Sequence, residues 1–246
     1  MKCELCSAEL DAVTLRCTSC GAKHARVCAG CGKVLPPESA YCPACGDEAL
    51  PGLEMTRQEL LQAGIKCFMP FTQDRNYDIY FGGHNDGEGY LFNDIKGYTH
   101  EPPQERVVLP SVVEGCPIYG VWNAFFSTGD DFLPELEEAT YARMMDLHEV
   151  VLSNGIRDVM SYAFFGCAGL EALELPRSVK SMKHDFYDLF TDGNEPMGNG
   201  VKKTPVTIRY RGTEEDWQKV AVTSRFWEYV AKGFIKMEYL GRQEAK

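Results

Sequence analysis

Cys3-Glu-Leu-Cys6, Cys17-Thr-Ser-Cys20, Cys28-Ala-Gly-Cys31 and Cys42-Pro-Ala-Cys45 decide how the start of this chain folds. Eight of its 11 cysteines fall in these four Cys-x-x-Cys pairs. Ten residues separate the first pair from the second, and ten the third from the fourth; adding 25 to each cysteine of the first set gives a cysteine of the second. One unit is therefore present twice. Two cysteines three apart can share one tight turn and aim both sulfurs at one ion. Two such turns supply four thiolates in a tetrahedron, the arrangement Zn²⁺ takes. Glycine follows three of the pairs, at Gly21, Gly32 and Gly46, where a residue free to adopt positive φ helps the backbone wrap a metal. Ser7 stands in the corresponding place after Cys6. The ten intervening residues fit a short hairpin, with Lys33-Val-Leu-Pro-Pro-Glu38 as its turn in the second copy. The spacing predicts two zinc ions, one on Cys3, Cys6, Cys17 and Cys20 and one on Cys28, Cys31, Cys42 and Cys45. A cross-brace, in which alternate pairs share an ion, is the rival pairing. Disulfides would suit a small secreted domain, but equal spacing in two copies is what two metal sites require. A thioredoxin-like redox role needs a single such motif after a strand in a βαβ unit.

The run Cys28-Ala-Gly-Cys-Gly-Lys-Val-Leu-Pro-Pro-Glu-Ser-Ala-Tyr-Cys-Pro-Ala-Cys-Gly46 resembles the double zinc ribbon found at the N-terminus of many bacterial proteins. The resemblance implies structural or adaptor modules. Four thiolates close the coordination sphere and leave no position for water, so no catalysis is expected there. Residues 1–50 carry Lys2, Arg16, Lys23, Arg26 and Lys33 against Glu4, Glu9, Asp11, Glu38, Asp47 and Glu48. Each zinc tetrathiolate adds a formal charge of about −2. The ribbons are therefore anionic, which disfavours nucleic acid as their partner.

The whole chain points the same way. Its 246 residues carry a net charge of −11, with 44% hydrophobic and 25% charged residues. That length allows a sizeable core in one or two domains, and the acidic balance argues against an extended nucleic-acid surface. A membrane-spanning helix needs about 18 consecutive apolar residues, and the sequence has no such run. No basic stretch leads into an apolar one at the N-terminus, so no secretory signal is expected. Together with reduced thiolates this favours the cytoplasm over the cell surface.

Leu50-Pro51-Gly52 reads as a boundary that breaks regular structure. Thr56-Arg-Gln-Glu59 reads as a capping box opening a short helix. Tyr77–Phe81 and Tyr90–Phe92 alternate like the strands of a hairpin around a glycine-rich loop. Asn85, Asp86 and Glu88 in that loop lack EF-hand spacing, and no Gly-Lys-Ser/Thr ending makes it a phosphate loop.

A second repetition begins near residue 106. Leu147-x-x-Val150-x-Leu152 returns as Leu170-x-x-Leu173-x-Leu175, 23 residues on; Ile156 returns as Val179, Val159 as Met182, and Phe164, one residue short, as Phe186. An offset of 23 suits a leucine-rich repeat, in which each coil lays a short strand beside the last and turns these side chains inward. Leu152 and Leu175 should then stack in neighbouring coils. Each fully buried side chain of this kind contributes about 1.5–3 kcal/mol, but one coil cannot close a core alone.

Residues 153–179, with Asp158-Val-Met-Ser-Tyr-Ala-Phe-Phe-Gly-Cys167 at their centre, resemble the BspA-like leucine-rich repeat. A partial copy precedes them in Val107–Ser111 and Gly115–Phe125, and Val206–Trp217 is similar to the family's closing strand, acidic turn and tryptophan-bearing helix. The resemblance covers roughly residues 90–240 and departs from the family in an insertion at 127–146 and a loop at 192–205. It implies a bacterial protein and a core position for Cys167.

The expected fold is thus mostly β with short helices (α+β): tandem tetracysteine ribbons over 1–49, a linker and short helix over 50–70, and over 71–246 a short, irregular leucine-rich-repeat β-solenoid with a strand–helix cap. Its solvent face would carry Val108, Val151, Glu174 and Arg209 at one position and Arg106, Glu149, Ala172 and Thr207 at the other. That face could take a protein partner or be ordinary solvated surface. No catalytic set emerges. Cys67 and Cys116 are single, the histidines (His24, His84, His100, His148 and His184) are scattered, and Glu135, Glu137 and Glu138 read as a solvated helix face. The expected function is a non-enzymatic zinc-binding scaffold presenting a protein-interaction surface. A nucleic-acid-associated adaptor is second and an enzyme third.

Overall fold

The computed structural model describes residues 1–62, 90–93, 105–122, 147–160, 163–164, 167, 169–184, 186 and 204–241. Within them the chain is mostly strand, with three short helices. The readings at Cys67, His84, His100, the loop of Asn85, Asp86 and Glu88, the 77–81 strand, Glu135, Glu137 and Glu138, and the 127–146 insertion lie outside the described residues.

Five strands make an all-parallel sheet in the order β14-β12-β10-β8-β5. They are β5 (Arg106–Leu109), β8 (Glu149–Leu152), β10 (Ala172–Leu175), β12 (Val206–Tyr210) and β14 (Ile235–Tyr239). The 23-residue offset sets the pairing of β8 with β10, where Leu173 lies opposite Val150 and Glu174 opposite Val151. Leu152 and Leu175 are both fully buried, as the repeat requires. Two-residue strands repeat the offset on the other side of the core: in β9 (Asp158–Val159) and β11 (Ser181–Met182), Val159 lies opposite Met182. Ile156, Val179, Phe164 and Phe186 complete the repeat in the same core, the two rings stacked with centroids 6.4 Å apart. Cys167 is fully buried there.

The second sheet has nine strands and is mixed rather than uniformly parallel. β9 and β11 continue to β13 (Ala221–Val222) on one side and to β7 (Cys116–Trp122) on the other; β4 (Tyr90–Asn93) also lies parallel on β7. From β7 the order runs through β6 (Val112–Val113) to β3 (Ala49–Met55), β1 (Lys23–Cys28) and β2 (Val34–Leu35). The β1–β2, β1–β3 and β6–β7 pairings are antiparallel. This corrects the expectation of a solenoid of like coils standing apart from the ribbons. Leu50-Pro51-Gly52, read as a break, lies inside β3, which pairs with β1 over six positions and continues parallel to β6. Gly52 suits this position because it lacks a side chain: a Cβ there would come within 2.6 Å of the Asn154 carbonyl oxygen. Val34 and Leu35, assigned to a turn, instead pair with Val27 and Arg26, and the bend follows at Pro36, whose carbonyl accepts the Ser39 N–H at 3.0 Å.

The capping box of the first helix, α1 (Arg57–Gln62), is present: the Thr56 N–H donates to Glu59 Oε2 at 2.7 Å and the Glu59 N–H to Thr56 Oγ1 at 3.1 Å. Thr213 and Asp216 form a second box opening α2 (Glu214–Trp217), which buries Trp217 against Tyr210 and Phe226. Phe226 belongs to α3 (Ser224–Ala231), whose N-cap is Thr223. No described helix is long and apolar enough to cross a membrane.

Candidate metal centres

Each cysteine pair sits on the same backbone knuckle. The N–H four residues after the first cysteine donates back to its carbonyl: Ser7 to Cys3 at 2.8 Å, Gly21 to Cys17 at 3.1 Å, Gly32 to Cys28 at 3.0 Å and Gly46 to Cys42 at 2.8 Å. Closing so tight a turn requires a left-handed residue there, and φ is 61°, 75°, 71° and 78° in chain order. The knuckle also aims N–H groups at sulfur. Ser19 and Cys20 donate to Cys17 Sγ at 3.4 Å, and Gly30 and Cys31 donate to Cys28 Sγ at 3.3 Å.

Two knuckles face each other in each copy. Cys3, Cys6, Cys17 and Cys20 gather in one cluster and Cys28, Cys31, Cys42 and Cys45 in the other, with the sulfurs of each within 4.8 Å of one another. Neighbouring sulfurs stand at 3.4 Å (Cys6–Cys17), 3.5 Å (Cys6–Cys20) and 3.7 Å (Cys3–Cys20) in the first, and at 3.3 Å (Cys28–Cys45) and 3.7 Å (Cys31–Cys42) in the second. A disulfide needs about 2.05 Å. A zinc tetrahedron with Zn–S bonds of about 2.3 Å places its sulfurs about 3.8 Å apart, so the clusters fit zinc and exclude disulfides. The grouping follows each 25-residue copy and leaves no room for a cross-brace.

Electrostatics add to the fit. Burial pushes the Cys3 thiol up to about 12, while the N–H groups of Cys20 and Ser19 pull Cys17 down to about 6 against its burial. In the second cluster burial opposes ionisation of Cys42, but the Ala44 and Cys45 N–H groups outweigh it and bring it to about 7, while burial raises Cys28 and Cys31. Four thiolates so close together cannot all be held ionised by N–H groups; they need a cation.

Both clusters are seated on the body of the protein by their first knuckles, at the turn Asn154–Gly155. Glu4, between Cys3 and Cys6, has a side chain only 5% exposed. Its Oε2 accepts the Leu53 N–H at 2.8 Å; its Oε1 accepts the Asn154 N–H at 3.0 Å and Arg211 Nη1 at 2.6 Å. Arg211 Nε also donates to Glu174 Oε1 at 2.7 Å. Burial disfavours the Arg211 charge, but Glu4 and Glu174 outweigh it and hold this guanidinium above its usual range. His24 lies beneath the same knuckle, where its Nε2 accepts the Glu4 N–H at 3.3 Å and burial holds its pKa below the usual value. In the second ribbon the contact is made by backbone. A side chain at Gly32 would run into the Gly155 carbonyl, and Arg157, stacked 4.0 Å from the centre of the Tyr119 ring, donates to the Cys31 carbonyl at 3.4 Å.

This seating corrects the solvent face inferred from the repeats. Val108, Val151 and Ala172 are buried, not exposed. Leu5 and Ala22 of the first ribbon pack against the same core, and Arg106 donates to the Glu4 and Leu5 carbonyls at 3.4 and 3.3 Å. The rest of the face carries charge: Glu149 pairs with Arg106 and with Arg209, and Arg209 also pairs with Glu238. Cys116 is half-buried on β7, His148 half-buried just before β8, and His184 buried between Phe164 and Phe186; these do not come together as a catalytic set. Sequence reasoning missed Glu4, Asn154, Arg157 and Arg211. The one signal was a glutamate inside the first Cys-x-x-Cys where the second copy has Ala29.

Residues 3–46 match the double zinc ribbon family, which covers both clusters and stops short of the repeats. No curated protein and no solved structure matches the chain. The ribbon match and the sulfur geometry together support two zinc ions, one in each tetracysteine cluster.

Proposed function

We propose that the chain is a non-enzymatic zinc-binding scaffold whose repeated parallel strands carry a protein-interaction surface of the leucine-rich-repeat kind. The observation that carries this reading is the register of Arg106, Glu149, Ala172, Thr207 and Lys236 across five parallel strands, in which Arg106 is held by the ribbon, Ala172 is buried, and Glu149, Thr207 and Lys236 remain as the polar row. Aligned rows on a parallel sheet give a partner a regular array of polar contacts over a rigid core. Two closed tetrathiolate centres add rigidity without chemistry, because no coordination position is left for a substrate.

The nucleic-acid reading is the weaker. Among the basic residues of the ribbons, Lys2 pairs with Glu9 and Lys23 with Glu54, while Arg16 and Arg26 donate to the carbonyls of Gly21 and Pro37. Phosphate binding would have to compete with these partners. The scaffold reading is tested by affinity capture from the source cells with the wild-type chain and with a Thr207→Glu/Lys236→Glu variant. A partner retained by the first and lost by the second, at equal zinc content, supports the interaction surface; identical captures refute it. A cytoplasmic setting is part of the same proposal, since reduced thiolates persist there.

A further inference from the structure

We propose that Glu4 is a metal-set latch: loading of the first tetracysteine site shapes the knuckle that carries Glu4, and Glu4 then clamps the ribbon onto the two sheets, so that metal binding and closure favour each other. The proposal rests on the two-zinc reading and is independent of any partner.

The knuckle fixes Glu4 from the ribbon side. Cys3 donates to Ala8, Ser7 to Cys3, and the Glu4 N–H to His24 Nε2. Metal on Cys3 and Cys6 would hold both residues that flank the Glu4–Leu5 step. From the body side three donors converge on one carboxylate: the N–H of Leu53 on β3, the N–H of Asn154 in the turn after β8, and the guanidinium of Arg211 just after β12. They lie 49, 150 and 207 residues from Glu4 in sequence. A single side chain therefore ties both sheets to the first ribbon. If the knuckle loosens, the carboxylate loses its fixed position and all three contacts weaken together.

The open state is also provided for. A buried charge left without a partner is strongly destabilising, but Arg211 keeps Glu174 when Glu4 departs, and Glu4 returns to water. Release would uncover Arg211 and Glu174 beneath the first knuckle, together with the part of the core against which Leu5 and Ala22 pack. The second ribbon has no equivalent. Its Ala29 replaces the glutamate, and its seat is made by the Cys31 carbonyl and the closeness of Gly32 to Gly155. The latch therefore belongs to the first site alone.

Coupling of this kind is reciprocal: whatever metal does for the clamp, the clamp does for metal. Hydrogen exchange on the full chain, with zinc and after chelation, reads one direction. Exchange at Leu53 and Asn154 should accelerate on chelation together with residues 3–20; continued protection at those two amides would overturn the proposal. Equilibrium competition with a chromogenic chelator reads the other. Glu4→Gln should hold one ion about 5–150-fold more weakly than wild type and the other with wild-type affinity. Arg211→Met, which alters the clamp far from the thiolates, should do the same and serves if Glu4→Gln does not hold both ions. Wild-type affinities in both variants, or equal weakening of both ions, would overturn the coupling.

Discussion

Ser7 and Gly32, 25 residues apart, hold the same left-handed backbone, at φ 61° and 71°, although only one of them is a glycine. The first ribbon therefore carries strain that the second avoids, since a side chain at positive φ costs about 1–2 kcal/mol. Ser7→Gly should stabilise the zinc-loaded protein by about 1 kcal/mol, measured as a rise in the first site's melting temperature or a slower loss of its metal. Gly32→Ser should do the opposite and cost more, because its side chain would also meet the Gly155 carbonyl. Equal and opposite small effects would mean that Gly155 does not press on the knuckle.

Elemental analysis should find two zinc ions per chain. Cys17→Ser removes one ligand of the first cluster and should leave one tightly held ion, while Cys42→Ser should spare the first cluster instead. In the cross-braced pairing that the sulfur positions exclude, Cys17 and Cys42 would serve the same ion, so a Cys17→Ser/Cys42→Ser double variant that still held one ion tightly would point to that pairing.

Leu173 and Glu174 are consecutive in β10 yet have different surroundings: Leu173 is fully buried, and Glu174 holds Arg211. Leu173→Ala should cost about 2–5 kcal/mol in chemical denaturation. From the repeat alone Glu174→Ala would be a neutral surface change. The Arg211 contact, on side chains about a fifth exposed, instead predicts a loss of about 1–2 kcal/mol. That loss should be smaller in an Arg211→Met background, and equal losses in the two backgrounds would remove Glu174 from the network.

His184 is buried between Phe164 and Phe186, and among the described residues its Nε2 has no hydrogen-bond partner. Burial brings its pKa down to about 3. The unfolded imidazole titrates near 6.5, so stability from this residue is complete above that pH and is lost as pH falls toward 3. Between pH 7 and 5 the loss is about 2 kcal/mol. Zinc loss adds its own acid sensitivity, so the measurement is the difference in denaturation free energy between wild type and His184→Phe at the two pH values. Parallel pH profiles would show that His184 does not titrate on unfolding.

The parts of this molecule set by local chemistry were legible in its sequence. The knuckles depend on two cysteines and a left-handed residue within five positions, so spacing gave the eight ligands and favoured their grouping by copy, and the sulfur positions removed the cross-braced rival. The 23-residue offset likewise placed Val150 beside Leu173 and Val159 beside Met182. What the sequence hid was long-range. Leu50-Pro51-Gly52 carries every local mark of a break, yet it serves as a strand because β1 and β6 flank it and Gly52 fits against Asn154. Val108 and Val151 stand at solvent-facing positions of their strands, yet both are buried in the core against which Leu5 and Ala22 of the distant first ribbon pack. Nothing near Glu4 in sequence announces Arg211.

The 207-residue separation of Glu4 and Arg211 also sets an order of events during synthesis. At about 5–20 residues per second that stretch takes roughly 10–40 s to translate. The eight thiols leave the ribosome at the start of that interval and the arginine at its end. Metal capture therefore has time to finish while the carboxylate still faces water, and the last strands of the five-stranded sheet complete themselves against a ribbon already in its final form.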